Sequence, residues 1–199
     1  KGELNIDQNV NLDNIYDVYN GSEFISSKVT LASGVTMTGT ANYETAIVQQ
    51  NFAGGSRSDI TLNNNGGTII LSGTDSIGMA ADFGEITNSG TIEISGTDSI
   101  AILGVNGSRI ENTGIINVNA AGVGIYGTNL LNTSAPLYGD QKIEIENDGL
   151  ITINSTTGRA YGIYAGNLDP TVSMADSAVL LGSNSVIDMS NSINSVGIL

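Results

Sequence analysis

The chain has 199 residues, of which 40% are hydrophobic, and its formal net charge is −14. The charge makes nucleic acids and anionic membranes poor partners. Because the chain contains neither histidine nor cysteine, Ser-His-Asp and Cys-His catalysis and the usual zinc and iron–sulfur sites are excluded. The 26 glycines, together with abundant Ile, Val, Asn, Ser and Thr, favour a protein built of strands and turns.

Residues 1–28 lack the pattern of the rest of the chain. Their apolar residues, such as Leu4, Ile6 and Val10, are irregularly spaced. The ends of a solenoid need atypical repeats because an open sheet edge aggregates. We therefore expect an N-terminal cap or a degenerate first coil. Since Lys1 opens no signal peptide and Leu199 lies in a strand pattern, we also expect the chain to be a fragment of a longer mature protein.

Residues 29–199 repeat a unit of three short strands joined by turns. In the clearest copies a glycine is followed by alternating polar and apolar residues, as in TIEI after Gly90. The alternation predicts strands with one buried face. Recurrence of the unit predicts an all-β fold, a right-handed parallel β-helix (β-solenoid) of about six coils with three short strands per coil. The longer units contain inserted loops at 127–142 and 165–178, at the same corner of the coil. The anchors that start each alternating strand are Gly67, Gly90, Gly114, Gly149 and Ser185.

Asparagines precede four of these anchors by two residues. Stacked in adjacent coils, their side chains are expected to form an amide ladder with a structural role. The residues are Asn65, Asn88, Asn112 and Asn147.

Two aspartates occupy equivalent positions in the repeated phrase SGTDSI. Stacking would place Asp75 and Asp98 about 5 Å apart, a separation that suits a cation site or a retaining glycosidase pair. However, the next coil has Ala120–Gly122 at this position, and no basic residue lies nearby in the sequence. We predict exposed turn residues, with a weakly bound cation as the alternative. The sequence thus predicts no catalytic, cofactor-binding or metal-binding residues.

The second strand after each anchor carries the candidate binding face. Its inward residues are expected to alternate with an outward column of small residues, namely Ala46, Gly78, Ala101, Gly124, Gly162 and Gly197. The next outward column is apolar and contains Val48, Ala80, Leu103, Tyr126, Tyr164 and Leu199. An aromatic ring with free space beside it can pack on a sugar ring or on a partner's side chain. The candidate partner-binding residues are therefore Leu103, Tyr126 and Tyr164, with Tyr138 in the following loop. In the alternative, that loop folds back and covers the apolar column.

The repeated phrase resembles the passenger repeats of the large autotransporter adhesins of fusobacteria and their relatives. It reads NSGTIEISGTDSIAIL, NTGIINVNAAGVGIY and NDGLITINSTTGRAYGIY in successive copies. The resemblance covers residues 29–199. It implies a β-helical passenger that is exported by type V secretion through a C-terminal outer-membrane barrel and displayed on the cell surface. It also implies roles in adhesion, co-aggregation and biofilm formation. The implied partner is a glycan or protein receptor on host or bacterial cells, bound by a monomer without cofactors.

Two other functions compete with adhesion. A polysaccharide-degrading β-helix enzyme needs clustered aspartates with a Lys or Arg, but the six basic residues do not accompany Asp75 and Asp98 in the sequence. We therefore expect no enzymatic activity. The remaining alternative is a structural stalk without a binding site of its own.

Overall fold

The structure, a computed structural model, describes residues 2–14, 26–50, 55–129, 142–167 and 177–199. Strands and short turns dominate the described residues, which also form two single-turn 3-10 helices, at Leu12–Asn14 and Arg57–Asp59. In chain order and grouped by coil, the strands are β1 (Gly2–Ile6) and β2 (Val10–Asn11); β3 (Ser26–Leu31), β4 (Thr36–Gly39) and β5 (Thr45–Gln50); β6 (Thr61–Asn64), β7 (Thr68–Leu71) and β8 (Ile77–Asp82); β9 (Glu85–Asn88), β10 (Thr91–Ile94) and β11 (Ser99–Val105); β12 (Arg109–Asn112), β13 (Ile115–Val118) and β14 (Gly122–Thr128); β15 (Glu144–Asn147), β16 (Leu150–Ile153) and β17 (Tyr161–Ala165); and β18 (Ala178–Leu181), β19 (Val186–Asp188) and β20 (Val196–Ile198).

The strands form three parallel sheets that run along the molecule. Sheet A contains the first strand of every coil in the order β1-β3-β6-β9-β12-β15-β18, sheet B contains the second strands from β2 to β19, and sheet C contains the third strands from β5 to β20. Each strand therefore pairs with its copies one coil before and one coil after. This confirms the predicted parallel β-helix with three strands per coil. We number the six complete coils 1 to 6, starting with β3–β5, and call residues 2–14 the N-terminal partial coil.

The N-terminal partial coil extends sheets A and B by one strand each. At its end, a side chain accepts the hydrogen bond that a backbone carbonyl accepts in later coils. Strand β1 pairs with β3, and β2 pairs with β4. The backbone N–H of Thr36 then donates to Oδ1 of Asn9 at 2.9 Å, whereas the equivalent N–H of Thr91 donates to the carbonyl of Gly67. A side-chain amide thus replaces the carbonyl that an ordinary coil would supply, which satisfies the donor.

The core consists of columns of aliphatic side chains that the alternation turns inward. In sheet B, Ile92 and Ile94 are 0% and 1% exposed, while Thr91 and Glu93 on the same strand face outward. Each fully buried Ile or Leu contributes roughly 1.5–3 kcal/mol. The other core residues with the same role include Leu62, Ile69, Leu71, Ile86, Ile110, Ile116, Val118, Ile145, Ile151 and Ile153.

A buried amide ladder runs along the corner between sheets A and B. Nδ2 of Asn64 donates to Oδ1 of Asn88 at 2.8 Å, and Asn88 donates in the same way to Asn112 at 2.8 Å. Asn112 donates to Asn147 at 2.7 Å, and all four side chains are fully buried. The predicted ladder exists, but the prediction of Asn65 as its first member was wrong. Its turn contains an extra residue, and the chain reaches Gly67 through a left-handed Gly66 (φ 76°), which moves the ladder position back to Asn64.

The anchor glycines are required by the close approach of neighbouring coils. A Cβ atom added to Gly90 or Gly114 would overlap the carbonyl oxygen of Gly67 or Gly90, respectively, in the preceding coil. The same Cβ on Gly90 would also lie 2.7 Å from both terminal atoms of the Asn64 amide. The Asn-x-Gly signature is therefore one structural device, in which the glycine makes room for the ladder.

The repeated SGTDSI is explained by the corner between sheets B and C. A Cβ on Gly96 would overlap the carbonyl of Gly73 in the preceding coil. Asp98 is left-handed with φ 58°, a conformation that Asp adopts at lower cost than most residues. Oγ of Ser99 accepts from the N–H of Ser76 at 3.1 Å and donates to the carbonyl of Gly73 at 3.2 Å. Each residue of the phrase thus has a role in the turn or in stacking.

The insertions lie at the corner between sheets C and A. Strand β14 ends at Thr128 and β15 begins at Glu144, and the next coil has a somewhat shorter connection from Ala165 to Ala178. A third connection, from β5 to β6, also falls at this corner. From its described end, Arg57 donates to Oε2 of Glu144 at 2.8 Å, although β9 and β12 separate β6 from β15 in sheet A. The third connection therefore extends over the corner of later coils.

Candidate partner-binding face

The small-residue column of sheet C faces inward, which contradicts the predicted outward placement. Ala101 and the following Ile102 are both 0% exposed, so two successive residues point into the core. A Cβ on Gly78 would lie 3.0 Å from Cγ2 of Ile92 in sheet B, which shows that this position has no room for a larger side chain. The strict alternation assumed from the sequence is interrupted here. The corrected column comprises Ala46, Gly78, Ala101, Gly124, Gly162 and Gly197.

Because of this interruption, two outward columns flank each inward pair. The column after the pair is the predicted one, in which Leu103 and Tyr126 are register partners, as are Tyr126 and Tyr164. The column before the pair contains Thr45, Ile77, Ile100, Val123, Tyr161 and Val196. We call these two columns the apolar face of sheet C.

Three tyrosines form a cluster on the apolar face. The rings of Tyr126 and Tyr164 are 5.0 Å apart at an interplanar angle of 89°, and those of Tyr161 and Tyr164 are 5.4 Å apart at 81°. Such edge-to-face pairs contribute about 0.5–1.5 kcal/mol beyond the area that they bury. The contacts hold the middle ring, Tyr164, between two others, so the cluster is an ordered aromatic surface.

Tyr126 is the most enclosed member of the tyrosine cluster. Its hydroxyl oxygen is buried and forms no hydrogen bond with the residues that the structure describes. Burial raises the pKa of this hydroxyl above its ordinary value; the nearby Thr128 opposes the increase and Tyr164 adds to it. Tyr126 is thus a neutral ring at physiological pH, and a polar atom in this surface lacks a partner.

The apolar face differs in charge from the outer face of sheet A. None of the residues in its two columns is charged. In contrast, sheet A carries Arg109, which pairs with Glu146 at 3.7 Å, and Glu144, which pairs with both Arg57 and Lys142. Burial raises the pKa of Glu144, but hydrogen bonds from Lys142 and Arg57 outweigh it and hold the pKa below its usual value. The apolar face is therefore a neutral surface on a strongly anionic protein.

The structure brings together three of the four predicted binding residues. Tyr126 and Tyr164 are in contact, Leu103 precedes them in the same column, and Tyr138 lies outside the described residues. Sequence reasoning missed Tyr161, because strict alternation over Tyr161–Tyr164 places the two tyrosines on opposite faces. Gly162 and Ile163, between the two tyrosines, are both buried. A recurring small residue followed by an aliphatic one could therefore have indicated that two successive residues face inward.

The two aspartates of SGTDSI lie on the surface and are not part of a metal site with three or more acidic ligands among the described residues. Both are exposed turn residues with positive φ, 54° at Asp75 and 58° at Asp98. Within the described ranges, no group of three or more acidic side chains is arranged to hold a metal ion. Arg57 and Lys142 lie at the other end of sheet C, whereas the exposed Arg159 lies at the same corner two coils after Asp98.

Comparisons with protein-family models, curated proteins and solved structures find no match for this chain. No helix in the described part of the chain is long and apolar enough to cross a membrane. The geometry of the face is therefore the basis for assigning a function.

Proposed function

We propose that this chain is a β-helical segment of a bacterial surface adhesin of the autotransporter type, and that the apolar face of sheet C binds a receptor on host or bacterial cells. The observation that carries the proposal is the tyrosine cluster on an uncharged face. The three tyrosines are half-buried and keep part of their rings accessible. Apolar patches on protein surfaces commonly mark binding sites, and ordered aromatic rings supply contact area at low entropic cost.

The position of the insertions supports the same proposal. Tyr126 lies two residues before the end of β14, and Tyr164 lies one residue before the end of β17. The chain passes against the cluster after β17, since a Cβ on Gly166 would lie 3.1 Å from Cε1 of Tyr164. Recognition residues commonly lie on loops held by a rigid scaffold. The cluster therefore lies beside the described starts of both long connections, at residues 127–129 and 166–167.

The experiment is binding of this chain to a glycan array and to whole host and bacterial cells. The test variant is the double substitution Tyr126→Ala and Tyr164→Ala. Its matched control is Ile115→Ala with Leu150→Ala, because these residues are also outward, apolar and register partners in coils 4 and 5. We expect saturable binding that the tyrosine variant loses and the control keeps, with unchanged circular dichroism for both. Equal binding by the two variants would contradict this site.

A structural stalk is the second candidate, and the SGTDSI turn favours it. Gly96, Asp98 and Ser99 all have roles in stacking, so their recurrence follows from adding another coil to a rod. Absence of binding to every cell type and every glycan tested would support the stalk. In that case the coils provide reach while other parts of the surface protein provide recognition.

A further inference from the structure

After β2, a carboxylate adds to the strand pairing that ties the N-terminal partial coil to coil 1. Oδ1 of Asp13 accepts from the backbone N–H of Thr40 at 2.7 Å and of Ala41 at 3.0 Å, and Oδ2 accepts from Oγ1 of Thr40 at 2.9 Å. In coil 3 the equivalent N–H, that of Ser95, donates to the carbonyl of Leu71. Asp13 thus holds the corner that a complete preceding coil would hold with its backbone.

A second carboxyl group faces this contact. Oε2 of Glu44 is buried against Gly39 and has no hydrogen-bond partner among the described residues. Burial raises the pKa of Glu44 above its ordinary value of 4.5, and the adjacent Asp13 raises it further. Hydrogen bonds from the backbone and side chain of Thr40 lower the pKa of Asp13 below 3.8. As pH rises, Asp13 therefore loses its proton first and Glu44 loses its proton second.

We propose that Asp13 and Glu44 form an acid-strengthened latch between the N-terminal partial coil and coil 1. When Glu44 is neutral, its carboxyl group can donate to the Asp13 carboxylate while Asp13 keeps its bonds to Thr40 and Ala41. When Glu44 is ionised, two carboxylates face each other and the buried Oε2 lacks a donor. Asp13 is the charged group that acts on Glu44, and Ala41 supplies the backbone N–H at the same corner.

The sign of the pH dependence follows from the two shifts. The contribution of Glu44, whose pKa is raised on folding, is complete below 4.5 and is lost as pH rises through its folded pKa. The contribution of Asp13, whose pKa is lowered, is present above 3.8 and is lost as pH falls through its folded pKa. The latch is therefore strongest between the two folded values, and it loosens as pH rises toward neutrality.

The test is amide hydrogen exchange in β1 and β2, expressed as protection factors and compared at about pH 4.5 and about pH 7.5. We expect protection at least about twofold higher at the lower pH, because Glu44 is then more fully protonated. Glu44→Gln should show equal protection at both values, because its amide donates to Asp13 without titrating. The matched control Glu111→Gln, on the outer face of sheet A, should keep the wild-type pH dependence.

Two results would overturn the latch. One is equal protection of β1 and β2 at both pH values in the wild-type protein, and the other is a pH dependence that survives Glu44→Gln. Asp13→Ala should lower protection at both pH values, which tests the carboxylate that holds the corner. Amides of β9 to β17 provide the internal standard in all variants. The outcome does not depend on receptor binding, so it is separate from the proposed function.

Discussion

Two corners of the coil differ in how much the length of their connections varies. At the corner between sheets A and B, the Asn64–Asn147 ladder and the anchor glycines bind each turn to the turns above and below it. At the corner between sheets C and A, coils 2 and 3 turn sharply through the left-handed residues Phe83 and Asn106, whereas coils 1, 4 and 5 carry insertions. The connections at the first corner contain two to four residues, whereas those at the second contain two to fifteen.

Both corners satisfy buried polar groups with partners in neighbouring coils. The ladder amides are fully buried, so moving one turn leaves buried groups unpaired. At the other corner, Oγ of Ser108 accepts from the N–H of Gly84 at 3.1 Å, and the N–H of Gly107 donates to Oδ1 of Asn129 at 3.1 Å. The two corners therefore differ in the length of their connections and not in the kind of partner. The long connections occur at the end of sheet C, beside the tyrosine cluster.

The largest loss of stability is expected when a charged side chain is placed in the core between the corners. Ile94→Asp places a carboxylate in a position that is 1% exposed, and burying an unpaired charge costs more than a domain's whole stability. The variant should not fold. The matched control Ile115→Asp lies at a position that is 41% exposed, and should cost about 1 kcal/mol or less. Thermal unfolding followed by circular dichroism distinguishes them, and a native transition for Ile94→Asp would refute the strand frame.

The next largest loss of stability is expected from an insertion at the first corner, which can be compared with the same insertion at the second. A Gly-Ser-Gly-Ser insertion between Thr113 and Gly114 should cost about 4 kcal/mol or more, because it displaces the glycine contact and unpairs ladder amides. The same insertion between Gly55 and Ser56, in the long connection from β5 to β6 at the other corner, should cost about 1 kcal/mol or less, mainly in loop closure. Urea unfolding measures both free energies. Equal losses would show that the corners do not differ in tolerance.

A smaller effect is expected from one member of the ladder. Asn88→Ala removes the acceptor of Asn64 and the donor to Asn112, which leaves two buried amide groups unpaired at about 1–3 kcal/mol each. We expect a loss of about 3 kcal/mol in the free energy of unfolding. The control is Asn119→Ala, since Asn119 belongs to an outer, partly buried chain in which it accepts from Asn154 and donates to Glu93. If the control loses as much stability as Asn88→Ala, burial is not the source of the ladder's importance.

The smallest effect is expected at the corner between sheets B and C. Asp98→Gly should change the free energy of unfolding by about 0.5 kcal/mol or less, because glycine adopts the left-handed conformation without strain. Millimolar Ca²⁺ should leave the melting temperature of the wild-type protein unchanged. A rise that Asp98→Gly abolishes would instead assign a cation to the carboxylates of SGTDSI.

Local errors in the sequence interpretation have a common physical cause. The periodic pattern identified the strands, the stacking and the glycine contacts. The assignment of Asn65 failed because one added residue in a turn shifts the register, and a shift of one residue exchanges the two faces of a strand. The same reasoning missed Tyr161. In sheet C, two successive residues turn inward, and a pattern with a period of two cannot represent that interruption.

The sequence by itself determined the fold of this protein, because alternation along a strand and recurrence of a glycine anchor are local patterns that can be read from the sequence alone. It also placed Leu103, Tyr126 and Tyr164 in one column. Only the tertiary structure decided which side chains meet across coils. The edge-to-face packing of Tyr161 on Tyr164 and the facing carboxyl groups of Asp13 and Glu44 depend on strand register and on the path of the chain around each corner, and these are set by packing between residues far apart in the sequence.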